Sequence, residues 1–216
     1  MKSIVRLILL IMIAVPGLRS ESGPFLFVFL NTNPNKPKLP KEQVDSLMTG
    51  HLANIERLAR EGKIVAAGPF YDGGGIIVLA TASRDTAWEW LKTDPAVRAN
   101  RWIIEMFPYT PQIGSVCAVR EPYEMVGYGF VRFSRPSKGK GEADSAWEHH
   151  LQYVTSVVPN DSIVAMGMLD QNQGSILVTR GEPDEQQLRR APAVQKSEIQ
   201  MTMKKLWIAR GSFCED

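Results

Sequence analysis

A histidine on the apolar face of a predicted helix is the first candidate for chemistry in this chain. His51 shares that face with apolar residues at helical spacing, namely Val44, Leu47, Met48, Ile55 and Leu58. A histidine in such a position needs a hydrogen-bond partner, because burying an unpartnered polar group is costly. With a carboxylate on one ring nitrogen, the other nitrogen can act as a general base or acid near neutral pH. The alternative is a core histidine whose hydrogen bonds are satisfied.

Other kinds of site lack their sequence signatures. The chain contains no Gly-x-Ser-x-Gly motif and no cysteine within a catalytic motif, so no nucleophile is indicated. His149 and His150 are adjacent, and on a helix they point about 100° apart, which makes them a poor chelating pair. The glycines at 73–75 precede a predicted strand rather than a helix, so they indicate a turn and not a phosphate loop. We therefore expect no cofactor and no metal.

A second stretch of the chain repeats the first. Residues 51–70 align without a gap with residues 150–169, so that His51 matches His150 and Gly68 matches Gly167. The match is incomplete, because Met168 replaces Pro69. Further along, DPAV at 94–97 becomes APAV at 191–194. The pattern indicates a duplication whose copies have diverged.

The elements that must position these residues follow the same order in both halves. In the first half the patterns predict strands over 25–30, 64–68, 76–81 and 101–107, and helices over 41–61 and 84–92. In the second half they predict strands over 129–133, 163–167, 175–180 and 200–208, a helical stripe from Trp147 to Val158, and a short helix over 185–190. The order βαββαβ predicts a four-stranded antiparallel sheet with both helices on one face.

The fold class expected from this order is α+β, with two ferredoxin-like repeats. The chain has 216 residues with 44% hydrophobic content, enough to bury a sizeable core. Each predicted sheet has one face without helices, and we expect the two sheets to cover each other face to face as an intrachain pseudo-dimer. The expected domains are residues 23–109 and 128–214, joined by a linker over 110–127, in a monomeric chain.

Residues 51–70, followed by DPAV at 94–97, resemble the YCII-related domain family. The resemblance covers about 25–109 well and about 128–209 more weakly. It implies a fold similar to the dimeric ferredoxin-like α/β barrels, with a His-Asp pair in a pocket and a small-molecule enzymatic role. By position, the pair is His51 and Asp94, and the corner residues Gly68 and Pro69 belong to the substrate pocket.

The second copy retains the histidine of the His-Asp pair but not the aspartate. Its equivalents are His150 and Gly167, but Ala191 stands where the aspartate is expected. If the pair does chemistry, the second copy has lost it. Survival of His150 without a partner favours a structural role for that histidine, and it leaves the role of His51 open.

Asp94 has a second interpretation that needs no chemistry. Aspartate followed by proline is a favoured helix start, with Asp94 as N-cap and Pro95 in the first turn. The two roles are compatible only if one carboxylate oxygen is free to face His51. The leading hypothesis is thus a small-molecule enzyme of the lyase or hydrolase kind with a His51–Asp94 general acid/base pair. The alternatives are a non-catalytic periplasmic module that binds a small ligand or a partner, and a scaffold without a ligand.

The N-terminus has the pattern of a secretory signal peptide over residues 1–20. Lys2 and Arg6 precede an apolar run at 7–15, and Pro16-Gly17 ends it. A spanning helix needs about 20 apolar residues, so this run is too short, although an uncleaved anchor is the alternative. Cleavage would leave 22 basic and 23 acidic residues, a net charge of −1. We expect an exported protein, periplasmic or secreted, that binds neither nucleic acid nor, after cleavage, a membrane.

Two cysteines remain after the expected cleavage. Cys117 and Cys214 each follow the last predicted strand of their own half. An oxidising compartment permits a disulfide between the halves, although two cysteines alone leave a bridge and two free thiols equally open.

Overall fold

The structure is a computed structural model, and it describes residues 23–136, 143–170 and 173–215. The predicted signal peptide over residues 1–20 lies outside the described residues. Within the described part of the chain, no helix is long and apolar enough to cross a membrane.

The first half has the predicted order of elements, with one helix more. Its elements are β1 (Phe25–Thr32), α1 (Lys41–Arg60), β2 (Ile64–Pro69), β3 (Gly75–Leu79), α2 (Arg84–Leu91), α3 (Pro95–Arg98) and β4 (Trp102–Ile113). Ser83 caps α2 by accepting a hydrogen bond from the backbone N–H of Thr86, as its sequence position indicates. The additional helix α3 begins after Asp94, where the Asp-Pro pair indicates a helix start, and β4 extends six residues beyond its predicted end at Phe107.

The second half repeats the order. Its elements are β5 (Met125–Ser134), α4 (Ala143–Val157), β6 (Ile163–Leu169), β7 (Gly174–Arg180), α5 (Glu185–Arg189), α6 (Pro192–Gln195) and β8 (Gln200–Ala209). Because β4 ends at Ile113 and β5 begins at Met125, both strands extend into the expected 110–127 linker.

All eight strands belong to one antiparallel sheet, in the order β2-β3-β1-β4-β6-β7-β5-β8. The long strand β4 pairs with β6 of the other half. The two end strands also approach each other, since Phe70 forms a bridge with Leu206, and the N–H of Tyr71 donates to the carbonyl of Lys205 at 3.0 Å. The two predicted four-stranded sheets are therefore hydrogen-bonded into one continuous sheet, whereas two separate sheets were expected. The physical reason is that β4 offers its free edge to β6, which satisfies the backbone hydrogen bonds of both strands.

The apolar core has an inner part and two outer parts. The inner cluster contains buried residues of both halves, and the rings of Phe27 and Phe130 lie 6.3 Å apart within it. One outer cluster contains buried residues of the first half with α1 and α2, and the other contains residues of the second half with α4 and α5. The helices thus cover the outer face of the sheet, and its inner face is shared between the halves.

The ends of the two halves are also joined covalently. Cys117, which follows β4, forms a disulfide with Cys214, which follows β8. Next to this disulfide, the N–H of Cys117 donates to the carbonyl of Ser212 at 3.0 Å.

Candidate functional site

Helix α1 positions His51 on its buried face. His51, Asn54 and Leu58 are its buried residues, and their spacing of three and four places them on one side of the helix. Gly50 lets α3 approach closely, because a Cβ at this position would lie 2.8 Å from Cγ of Pro95. The start of α3 therefore packs directly beside His51.

Asp94 performs two functions with its two carboxylate oxygens. Its Oδ1 accepts hydrogen bonds from the backbone N–H groups of Ala96 at 2.8 Å and Val97 at 3.3 Å, so it caps α3. Its Oδ2 lies 2.6 Å from Nδ1 of His51. Asp94 can therefore cap α3 and contact His51 at the same time, because each role uses a different carboxylate oxygen.

The pKa of Asp94 indicates which of the two groups carries the proton between them. Burial alone would raise the pKa of Asp94, but the hydrogen bond and charge of His51, with the N–H groups of Ala96 and Val97, lower it below its ordinary value. An ionised carboxylate only accepts hydrogen bonds, so Nδ1 of His51 carries the proton and donates it to Oδ2. Among the described residues none hydrogen-bonds to Nε2. In the neutral ring, Nε2 therefore has a lone pair that can take up a proton.

Two neighbours of the pair were not singled out from the sequence. The ring of Trp102 lies 5.9 Å from the His51 ring, and its buried Nε1–H has no hydrogen-bond partner in the described part of the chain. The Oδ1 of Asn54 accepts from Nη2 of Arg57 at 2.8 Å and from Oγ1 of Thr93 at 2.9 Å. Helical spacing alone points to Asn54, whereas Trp102 is distant in sequence from His51 and had no local signal.

The predicted pocket residues Gly68 and Pro69 lie at the end of β2. A Cβ on Gly68 would lie 2.4 Å from the backbone oxygen of Trp207 in β8, and the equivalent Gly167 has the ring of Tyr109 at 2.5 Å. Pro69 is exposed and pairs with Gly75. The close approach of neighbouring strands accounts for both glycines, and a pocket role for Gly68 and Pro69 stays a prediction.

The histidine of the second half has different surroundings. His150 is only 2% exposed, and neither of its ring nitrogens has a hydrogen-bond partner among the described residues. The ring packs edge-on against Phe133 at 4.4 Å and Trp147 at 5.8 Å. Ala191 occupies the N-cap position of α6 and gives it no side-chain cap. Burial without a partner lowers the pKa of His150 to about 4, so its ring is neutral near pH 7.

The two adjacent histidines do not act together. His149 is exposed while His150 is buried, in accordance with their divergent directions on a helix. In the ranges that the structure describes, no group of three or more histidine, cysteine, aspartate or glutamate side chains could hold a metal ion.

Comparisons with known proteins give distant likenesses. No curated protein matches this chain. The solved structure of 5-chloro-2-hydroxyhydroquinone dehydrochlorinase from Burkholderia phenoliruptrix is 19% identical, covers 38% of this chain and 90% of its own, and has a TM-score of 0.30. A candidate monooxygenase from Fusobacterium nucleatum is 10% identical over 88% of this chain and 94% of its own, with a TM-score of 0.44. A candidate chlorite dismutase is 11% identical over 86% of this chain and 94% of its own, with a TM-score of 0.47. At this distance no activity is carried over from any of them.

The family comparison is specific to one half of the chain. Residues 25–109 match the model of the YCII-related domain. This range runs from β1 into β4 and contains His51, Asp94 and Trp102. Residues 25–109 are therefore similar to the YCII-related domain, and the match does not extend to the second half.

Proposed function

We propose that the first half of the chain is a small-molecule enzyme of the lyase or hydrolase kind. His51 acts as the general acid and base, and Asp94 orients it. The observation that carries the proposal is the 2.6 Å contact between Nδ1 of His51 and Oδ2 of Asp94, with Oδ1 already engaged in capping α3. A carboxylate held at both oxygens cannot rotate freely, so it fixes the tautomer and orientation of the ring.

The chemical step is a proton transfer at Nε2 of His51. The neutral ring takes a proton from the substrate at Nε2, and Asp94 stabilises the imidazolium that results. The same proton is then available for a leaving group or a product. The proposal involves no cofactor, no metal and no covalent intermediate.

The proposed architecture gives the second half a supporting role. The two halves are diverged ferredoxin-like repeats, residues 23–109 and 128–214, that pack as an intrachain pseudo-dimer resembling the dimeric α/β barrels. The repeated order of elements and the inner cluster shared by both halves support this view. The protein is a monomer, exported with residues 1–20 as a signal peptide.

A non-catalytic module that binds a small ligand is the second candidate function. It is favoured by the state of the second half, where the histidine remains but its carboxylate partner is absent. If the first half only binds, a ligand will raise the melting temperature without being consumed. Turnover of any compound that also stabilises the protein excludes this alternative.

The test compares His51→Gln with His150→Gln in a screen of small organic acids, esters and hydroxy compounds. We expect a turnover that is lost in His51→Gln and retained in His150→Gln, with both variants folded by circular dichroism. Equal turnover in wild type and His51→Gln would exclude His51 as the general acid/base.

A histidine titration by NMR checks the pair without a substrate. In Asp94→Asn the resonances of His51 should move, because its charged partner is removed, while those of His150 should not. Unmoved His51 resonances would leave Asp94 as a helix cap only.

A further inference from the structure

The indole of Trp102 is a hydrogen-bond donor without an acceptor beside the His51–Asp94 pair. Its Nε1 is buried and unpartnered within the described residues, although the residue as a whole is partly exposed. Its ring lies 5.9 Å from the His51 ring at an interplanar angle of 48°. An unsatisfied buried donor costs free energy, and native proteins contain few of them. Such a donor at a candidate active site is accounted for if a bound molecule supplies the acceptor.

The second half lacks this donor together with the carboxylate. Trp102 follows Asp94 by eight residues, and Ile199 follows Ala191 by the same interval. The strand register agrees with this equivalence. Leu30 of β1 pairs with Ile104, two residues after Trp102, and Phe133 of β5 pairs with Met201, two residues after Ile199. Where the histidine has no carboxylate partner, the indole is thus also replaced by a buried apolar side chain. The parallel loss indicates that Asp94 and Trp102 serve one site.

We propose that the Nε1–H of Trp102 binds the oxygen on which negative charge develops when His51 removes a proton from the substrate. The inference rests on the proposed function of His51. In the step, an O–H or C–H bond of the substrate breaks, its proton forms an N–H bond at Nε2, and its electron pair remains on the substrate as an oxyanion or enolate. The indole N–H donates to that oxygen, and this hydrogen bond strengthens as the charge forms.

The charge of the pair determines the class of substrate. To take up a proton, as the proposed function requires, His51 must be neutral, and the ionised Asp94 carboxylate beside it then repels a substrate that is already an anion. A neutral substrate avoids this repulsion, because it becomes negative only when its proton moves to His51 and the ring becomes positive. The substrate is therefore a neutral compound whose conjugate base holds its charge on oxygen, such as an enolisable ketone or a hydroxy compound.

The test uses pentane-2,4-dione as the neutral acid and acetate as the preformed anion. Indole N–H resonances of the ¹⁵N-labelled protein are followed during titration, and the Trp102 signal is assigned by its loss in Trp102→Phe. We expect the dione to move the Trp102 indole resonance downfield and to bind more tightly than acetate. Because hydrogen bonds to charged groups are among the stronger ones, Trp102→Phe should weaken binding of the dione about tenfold or more.

A matched variant and the histidine resonances separate the outcomes. Trp207→Phe removes an indole on the exposed part of β8 and should leave the affinity for the dione unchanged. If the dione moves the His51 resonances but Trp102→Phe binds it equally well, the role of Trp102 is overturned while that of His51 stands. If acetate binds as tightly as the dione, or if the dione does not bind, the proposed substrate class is overturned, and the His51→Gln comparison still decides the proposed function.

Discussion

At the scale of single residues, the two histidines show how one side chain in one structural position acquires different chemistry. His51 has a buried carboxylate at 2.6 Å, whereas His150 has two aromatic rings and no hydrogen-bond partner among the described residues. The difference follows from one position, Asp94 in the first half and Ala191 in the second. A histidine paired with a carboxylate and a histidine that resists protonation therefore lie in equivalent positions on α1 and α4.

The isolation of His150 predicts an acid-sensitive stability. Its pKa is lowered from 6.5 to about 4 by burial, so the unfolded chain takes up a proton before the folded one does. The free energy of unfolding should be unaffected above pH 6.5 and fall by about 3 kcal/mol as the pH decreases to 4. Urea unfolding at a series of pH values measures this fall, and His150→Leu should remove most of it.

The pH range separates the effect of His150 from that of Asp94. The lowered pKa of Asp94 gives stability that is present above 3.8 and is lost only below that value, so it does not overlap with the His150 effect. An identical pH dependence in wild type and His150→Leu would contradict the assignment to His150.

The missing carboxylate can be restored by one substitution. Ala191→Asp should cap α6, which is worth about 1 kcal/mol, and place a carboxylate beside His150. The pKa of His150 should then rise from about 4, measured by NMR titration. Ala191→Asn is the matched control, because it can cap α6 without adding a charge. An equal shift of the His150 pKa in both variants would mean that the aspartate does not contact the ring.

At the scale of elements, the packing of α3 against α1 keeps the His51–Asp94 distance short. The contact depends on Gly50, beside which Pro95 leaves no room for a Cβ. Gly50→Ala favours the helix intrinsically by about 1 kcal/mol, yet the added Cβ would displace Pro95 and the neighbouring Asp94. We expect a lower free energy of unfolding in urea and altered His51 resonances.

Thr49→Ala provides the comparison for Gly50→Ala. Thr49 precedes Gly50 on the exposed side of α1, so its replacement changes helix propensity without a clash. It should leave the His51 resonances in place. If Gly50→Ala also leaves them in place and stabilises the protein, the position of α3 does not depend on this contact.

How far the elements could be predicted depends on whether the signal was local. Periodicity places His51 on the buried face of α1, and Ser83 and Asp94 begin α2 and α3 as cap residues do. The contact of Asp94 with His51 came from the family resemblance, because 43 residues separate the two and no periodicity relates them. Trp102 was overlooked for the same reason. The extension of β4 to Ile113 depends on β6 as a hydrogen-bond partner, which is information from the other half of the chain.

At the scale of the whole molecule, strand pairing joins the halves into one sheet, and the inner cluster packs side chains of both halves together. Alternating patterns show which side of a strand is buried, but they do not show which strand lies beside it, and so separate sheets were expected. In the structure β4 pairs with β6, Gly68 lets β8 approach β2, and the inner cluster contains side chains of both halves. Neither half could bury its inner face alone.

This arrangement predicts what the disulfide contributes. Cys117 and Cys214 are separated by 97 residues, and a disulfide typically stabilises a protein by about 2–4 kcal/mol, chiefly by restricting the unfolded chain. The double variant Cys117→Ser/Cys214→Ser should therefore lose free energy of unfolding in that range, while the oxidised wild type shows no free thiol when denatured. Because the inner cluster is shared, the variant should still unfold in one transition by fluorescence and circular dichroism. Two separate transitions would instead mean that the disulfide, and not the common core, makes the two halves one cooperative unit.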